Sequence, residues 1–184
     1  MNLSDYVNNA IKYSLTMQKL IDEHNLMLRW LALIPKIIES SNNGSEEDSQ
    51  FLLKSFNFLS SFIDILHLTK EEDEIFRYFE EDLDILKIMH DDHEKIRFYT
   101  NIFQFAIEEN DKKAIAECLY GYRTLLNDHI KNENEIIYPW IDRNLSKSQL
   151  RELLIKFNEI NLNHHDELIK FEGFVEKMEA KLGT

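Results

Sequence analysis

Apolar residues recur three and four positions apart along most of the chain, which is the spacing of one face of an α-helix. One clear run of such positions is Phe51, Phe58, Phe62, Ile65 and Leu66. Only four glycines and two prolines interrupt the 184 residues, too few for a fold that needs many turns. The pattern therefore predicts an all-α protein.

The breaks in this pattern divide the chain into five predicted helices. They cover about residues 5–39, 47–80, 83–108, 112–143 and 147–182. The polar stretch 40–49 has the composition of a loop, and Ser146 with Gln149 matches the capping box that begins a helix. The connections among the first four helices are short, which favours antiparallel neighbours.

We therefore expect a single domain over residues 1–184. Its core, about residues 5–145, is predicted to be an antiparallel, up-down four-helix bundle. The additional C-terminal helix, about residues 147–182, could pack as a fifth member of the bundle or pair with a second copy of the chain in a homodimer.

Charge and cysteine content exclude several classes of function. A net charge of −13 argues against nucleic acid as a partner, because phosphate binding needs a basic face. Cys118 is the only cysteine, so the chain has neither an internal disulfide nor a cysteine-based metal site, and we expect a buried thiol. With no signal-like N-terminus and no apolar stretch of bilayer length, we expect a cytoplasmic protein without a membrane partner.

The two halves of the chain repeat one motif. Each half has a histidine preceded by two acidic residues, then a histidine with a glutamate four positions later, then an apolar–aromatic pair at the same offset. The matching residues are His24, His67 and Glu71 in the first half and His93, His129 and Glu133 in the second. A duplicated helical hairpin explains this match better than chance does.

The four-residue spacing has a geometric meaning. Residues i and i+4 lie on one helix face, so His67 with Glu71, and His129 with Glu133, each present two ligand groups in the same direction. Either pair alone would be read as a surface ion pair. Its repetition in matched contexts, with His24 and His93 on the other two helices, predicts four imidazoles and two carboxylates facing one interior volume.

Such a donor set indicates a metal site. Imidazole nitrogen and carboxylate oxygen without thiolate suit iron, manganese or zinc, and the set is too rich in nitrogen for calcium or magnesium. Each carboxylate can bridge two ions. Six protein ligands do not fill two octahedra, so positions stay open for water, hydroxide or dioxygen.

Four stretches of the sequence resemble the hemerythrin-like HHE cation-binding family. They are LIDEHNLMLRWL, LHLTKEEDEIF, MHDDHEKIR and NDHIKNENEIIYPW. The resemblance implies two iron ions with an oxo or hydroxo bridge, the four histidines as terminal ligands, and Glu71 and Glu133 as bridging ligands. It also implies a role in binding or sensing dioxygen, a related small molecule such as nitric oxide, or iron itself.

The sequence departs from the oxygen-carrying hemerythrins at two points. Met89 stands where the carriers have the first of two histidines on the third helix, and His90 is displaced by one position. His129 is followed by Glu133 rather than by the carriers' later aspartate. Reversible oxygen transport is therefore not expected, and His90 is either an additional metal ligand or a half-exposed residue.

Other polar residues near the motif receive simpler interpretations. His164 and His165 are adjacent, point in different directions and are expected to be solvated or to cap a helix. Glu72, Glu74 and Glu135 could support the ligand imidazoles, but solvated charge is the expectation. The larger aromatic residues are expected to form core layers on either side of the site. They are Trp30, Phe62, Phe76, Tyr138 and Trp140.

Two alternatives to a binding or sensing protein remain open. A di-iron oxidase or oxygenase is disfavoured because ferritin-like enzymes use Glu-x-x-His, whereas this chain has histidine before glutamate at a spacing of four. The other alternative is a protein-interaction module, either dependent on the metal or free of it, which would address a signalling partner.

Overall fold

The computed structural model describes residues 12–41, 46–81 and 83–182, and all the regular secondary structure in these ranges is helical. The all-α prediction is confirmed. The α-helices are α1 Leu15–Ser41, α2 Glu46–Asn57, α3 Asp84–Glu108, α4 Lys112–Asn132, α5 Tyr138–Asn144, α6 Lys147–Asn163 and α7 His165–Leu182. The predicted start of the first helix, before residue 12, lies outside the described residues.

Two of the bundle's helices change type where they carry the repeated motif. Helix α2 continues as π-helix over Phe58–Leu68 and Lys70–Ile75, and then ends in a 3₁₀ turn. Helix α4 passes through the π-helical segment Glu133–Ile137 into α5. π-Helical turns are rare and occur frequently at functional sites.

The core consists of two apolar clusters with a polar layer between them. One cluster includes Trp30 and Phe62, and the other includes Phe76 and Tyr138, so the predicted aromatic layers are present. In each of the four long helices, with α2 and α4 counted together with their π-helical continuations, the residues on one side of the repeated motif belong to one cluster and those on the other side to the other cluster. Burying each large apolar side chain contributes on the order of 1.5–3 kcal/mol, and these clusters fix the layer between them.

The third and fourth helices approach each other closely at Gly121. A Cβ atom added at this position would lie only 2.6 Å from the Tyr99 ring, so this ring can lie against α4 because position 121 has no side chain. The turn between the two helices ends at Asp111, whose carboxylate accepts hydrogen bonds from the backbone N–H groups of Lys113 and Ala114. Asp111 therefore caps the start of α4.

The C-terminal segment forms two helices where the sequence analysis predicted one. Helix α6 begins with the predicted capping box of Ser146 and Gln149. It ends at His164, whose carbonyl accepts from the N–H of Glu167 and whose ring Nδ1 lies 2.6 Å from the Glu167 carboxylate, so a new helix starts there. This agrees with the capping role expected of His164.

Both C-terminal helices pack on the same chain's bundle. The Arg29 guanidinium on α1 donates to both carboxylate oxygens of Glu179 on α7, at 2.9 and 2.7 Å. The Thr16 hydroxyl donates to the carbonyl of Leu150 on α6, at 2.7 Å. Of the two arrangements considered, the described residues show the intramolecular one.

One stretch of the described chain is long and apolar enough to cross a membrane. It runs over Ser49–Tyr78, with a mean hydropathy of 1.3 in its most apolar window, although the sequence analysis found no stretch of that kind. Half of that window is buried inside the bundle, and the stretch carries His67 and Glu71. Its apolar character is therefore accounted for by packing in the core.

Cys118 is buried against α3, as predicted, and its thiol donates to the Tyr99 carbonyl. Burial raises the pKa of the thiol from 9.0 to about 11. At neutral pH it therefore carries about one hundredth of the thiolate of an ordinary cysteine. We expect iodoacetamide to alkylate the native protein at least about 100-fold more slowly than the urea-unfolded protein, as followed by mass spectrometry. Equal rates would contradict the burial.

Candidate metal centre

All six side chains of the repeated motif meet in the polar layer between the two apolar clusters. Each is at most 1% exposed. They come from α1, from the π-helical continuation of α2, from α3, and from α4 with its π-helical continuation. Their ligand atoms form two overlapping groups: His24, His67 and Glu133, and Glu71, His93, His129 and Glu133. Within each group the atoms lie within 4.8 Å of one another. The convergence predicted from the spacing is what the structure shows.

In the first group, two imidazole nitrogens face each other. His24 Nε2 lies 2.9 Å from His67 Nε2 and 3.1 Å from Glu133 Oε2. His24 Nδ1 faces the side-chain oxygen of Asn134 at 2.7 Å, and His67 Nδ1 faces Glu23 Oε2 at 2.9 Å. When both rings are neutral and their outer nitrogens donate to these acceptors, the two Nε2 atoms direct lone pairs at each other. A cation between them would relieve this repulsion.

In the second group, imidazole nitrogens face carboxylate oxygens. His129 Nε2 lies 3.1 Å from Glu133 Oε1, and His93 Nε2 lies 3.4 Å from Glu71 Oε2. None of these four atoms has an aligned hydrogen-bond partner although all are buried. Buried polar groups are almost always satisfied, and a site for a bound ion is one reason for an exception. The donor set thus fits metal ions.

A polar side chain faces the outer ring nitrogen of each histidine. Glu23 and Asn134 face His67 and His24, Glu72 accepts from His93 Nδ1 at 2.7 Å, and Asp92 Oδ2 lies 3.8 Å from His129 Nδ1. The last distance is too long for a direct hydrogen bond. Such partners orient the imidazole and turn Nε2 toward the metal.

These four supporting residues follow the internal repeat. Glu23 and Asp92 each precede the first histidine of their half and face the second histidine of the same half. Glu72 and Asn134 each follow a glutamate of the motif and face a histidine of the other half. The expectation that Glu72 is merely solvated was wrong. His93 and Arg97 bind it and, against the effect of its burial, lower its pKa to about 2.

The support of His24 by Asn134 can be tested by mutation. Asn134→Ala removes the acceptor from His24 Nδ1, and we expect metal affinity to fall by about 10- to 100-fold. Competition with a chromophoric chelator measures this. Asn132→Ala, an exposed asparagine two residues earlier, is the matched control and should leave affinity unchanged. Equal affinities for both variants would contradict the role of Asn134.

Lys70 has an unusual position for a lysine. Its side chain is fully buried, pairs with the Glu23 carboxylate that holds His67, and lies 6.0 Å from the centre of the Phe157 ring on α6. The equivalent residue of the second half is Asn132, which is exposed. The two halves of the site therefore differ in charge, and α6 seals the side that carries the lysine.

The halves also differ at the aromatic residue of the motif. Phe76 stacks on His93 with 6.0 Å between ring centroids, and Tyr138 stacks on His24 at 5.3 Å. Only Tyr138 has a hydroxyl, and it donates to Glu71 Oε1 at 2.6 Å. Burial and the nearby carboxylates Glu133 and Glu71 raise its pKa well above the ordinary value, so it stays a donor. Nothing in the sequence distinguished this tyrosine from the others.

Protons balance part of the charge of this layer. Burial opposes protonation of His129, but the adjacent Glu133 carboxylate outweighs it and raises the pKa of His129 to about 9. The pKa of His93 is raised well above its usual value in the same way, by Glu133 and Glu71 against burial. The attraction of His129 lowers the pKa of Glu133 despite burial. Cations are favoured in this layer.

The remaining histidines lie outside both groups. His90 has a 52% exposed side chain, with Nδ1 4.0 Å from Glu72 Oε1 and its ring edge-on to Phe76. His164 and His165 are in the C-terminal pair of helices. Of the two other glutamates considered, Glu135 is exposed and Glu74 pairs with Arg77 at 3.3 Å.

Comparison with protein families agrees with this geometry. A family model described as Hemerythrin HHE cation binding domain matches residues 16–141, about two-thirds of the chain, including all six residues of the motif. The chain belongs to the hemerythrin HHE cation-binding family. Searches of curated proteins and of solved structures return no match.

Proposed function

We propose that this protein binds two iron ions in the polar layer and uses them to bind or sense dioxygen or a related small molecule. The supporting observation is the close approach of His24 Nε2 and His67 Nε2, 2.9 Å apart, beside the shared carboxylate of Glu133. When bound, iron would supply open coordination positions and a reversible change of oxidation state. Manganese and zinc suit the same donors and are distinguished by the experiment below.

Some side chains around the site would hold the ions, and others keep water away from them. Glu133 directs one oxygen at each histidine group, so it would bridge the ions. A single oxygen of Glu71, Oε2, lies 3.4 Å from His93 Nε2 and 3.8 Å from His67 Nε2, so Glu71 would also be a ligand between the two groups. The apolar clusters on both sides exclude bulk water from the layer, as suits a centre that handles a small neutral ligand.

The residues around the six candidate ligands restrict their motion. Each imidazole has a fixed partner on its outer nitrogen or an acid close to it, so the ligands are held in place rather than free to exchange. The Tyr138 hydroxyl donates to Glu71 Oε1 and so fixes that carboxylate beside His93 and His67.

Anaerobic reconstitution with ferrous iron tests the proposal. Elemental analysis should find about two irons per chain, and the absorption spectrum should change on exposure to air. Binding to the folded state alone also raises stability, by about 2.7 kcal/mol when free metal is 100 times its dissociation constant. Coinciding thermal melts of metal-free and iron-loaded protein, or a spectrum that ignores air, would refute it. Preferential retention of manganese or zinc would refute iron.

A further inference from the structure

A second concave site lies away from the polar layer, between α7 and the helix formed by α2 and its π-helical continuation. It encloses about 510 Å³, which is within the range of small-molecule sites. Its apolar lining comes from half-buried rings of Phe51, Phe171 and Phe174. We call it the lysine groove, for the residues on its rim.

The rim of the groove carries Lys54, Lys170 and Lys177, all exposed. None of these three forms an ion pair with another of the residues that the structure describes. The acid in the lining is Glu167, whose carboxylate already contacts His164 at 2.6 Å. In a chain with a net charge of −13, this is a local concentration of positive charge over an aromatic floor.

We propose that the lysine groove binds an amphipathic carboxylate, a single anionic head on an alkyl or aryl body. The rings of Phe171 and Phe174 suit the apolar body, because burying apolar surface is favourable. The Phe51 ring already has Lys181 Nζ 4.0 Å from its centre. Lysine ammonium groups are point charges on flexible stems, so three of them can meet one carboxylate without a fixed approach. A small inorganic anion would make no contact with the aromatic rings, and a cation would be repelled by the three lysines.

The floor is rigid enough to define a site. Phe171 packs on Phe58 and Phe62, with ring centroids 5.9 and 5.7 Å apart, and both of these are fully buried. Phe174 lies farther out, 6.4 Å from the Phe58 ring, and is the residue that can be changed without opening the core. The site lies outside the six-residue motif, so its occupancy does not depend on the metal proposal.

Calorimetric titration of the full-length protein tests this assignment, with decanoate and 1-naphthoate as alkyl and aryl probes and decylammonium as the charge-reversed control. We expect a carboxylate probe to bind at one saturable site. Whichever of decanoate and 1-naphthoate binds more tightly shows whether the natural ligand has an alkyl or an aryl body. Decylammonium should bind at least tenfold more weakly than decanoate. Binding of neither carboxylate up to millimolar concentration, or equal binding of decylammonium, would overturn the proposal.

Variants locate the binding. The charge reversal Lys170→Glu with Lys177→Glu should weaken carboxylate binding at least tenfold, and Phe174→Ala should weaken it without unfolding the protein, as checked by circular dichroism. The matched control, Lys113→Glu with Lys156→Glu, makes the same change in net charge at exposed positions elsewhere and should have no effect. Equal losses in the groove pair and the control pair would show attraction by net charge and no defined site.

Discussion

Replacing Glu133 with alanine is expected to abolish binding of both metal ions, the largest functional effect of any single substitution in this chain. The reason is position: Oε2 lies 3.1 Å from His24 Nε2, and Oε1 lies 3.1 Å from His129 Nε2, so one carboxylate serves both ligand groups. Elemental analysis of the purified, reconstituted variant should fall from about two ions per chain to none.

A neighbouring glutamate supplies the control for this result. Glu135→Ala removes the same group two residues later on the same helix, at an exposed position, and should leave the metal content unchanged. Circular dichroism of both variants separates loss of metal from loss of fold. A Glu133→Ala protein that is folded and still holds two ions would show that the carboxylate is not a shared ligand.

Replacing Lys70 with methionine is expected to have the largest effect on stability. Methionine fills similar space but leaves the Glu23 carboxylate buried with a single partner, His67, and breaking a buried ion pair on one side costs about 3–5 kcal/mol. Urea unfolding followed by circular dichroism should show the loss as a lower midpoint with an unchanged slope.

A second substitution should rescue this variant. Adding Glu23→Gln removes the unpaired charge while its amide oxygen can still accept from His67 Nδ1, so the double variant should regain most of the loss. Lys95→Met breaks the corresponding but exposed pair with Asp92, 2.9 Å long, and should not change stability measurably. Lys70→Met with normal stability, or without rescue, would contradict a buried pair.

The fold and the six candidate ligands could be predicted because the sequence has two kinds of periodicity. The helical spacing of apolar residues predicted the helices, and the internal repeat distinguished His24 and His93 among the seven histidines. The four-residue interval then gave each histidine–glutamate pair its common face. The structure brings the six together, and their binding of iron remains a prediction.

Other features of the site could not be predicted because they depend on the packing of the helices. Lys70 reads as a surface charge until Glu23 and the ring of Phe157 are brought beside it by other helices. For Glu23 and Asp92 a signal did exist, since an acid precedes a histidine in both halves, but only the structure shows which imidazole each one faces.

The crosswise support of the histidines has a consequence for how ions enter and leave. Glu72 of the first hairpin orients His93 of the second, and Asn134 of the second orients His24 of the first. If either hairpin separated from the other, a ligating histidine of the opposite hairpin would therefore lose its hydrogen-bond partner as well. Exchange of the ions should then require the whole bundle to open, and its rate should be as slow as that opening. Local opening of one helix should not be enough.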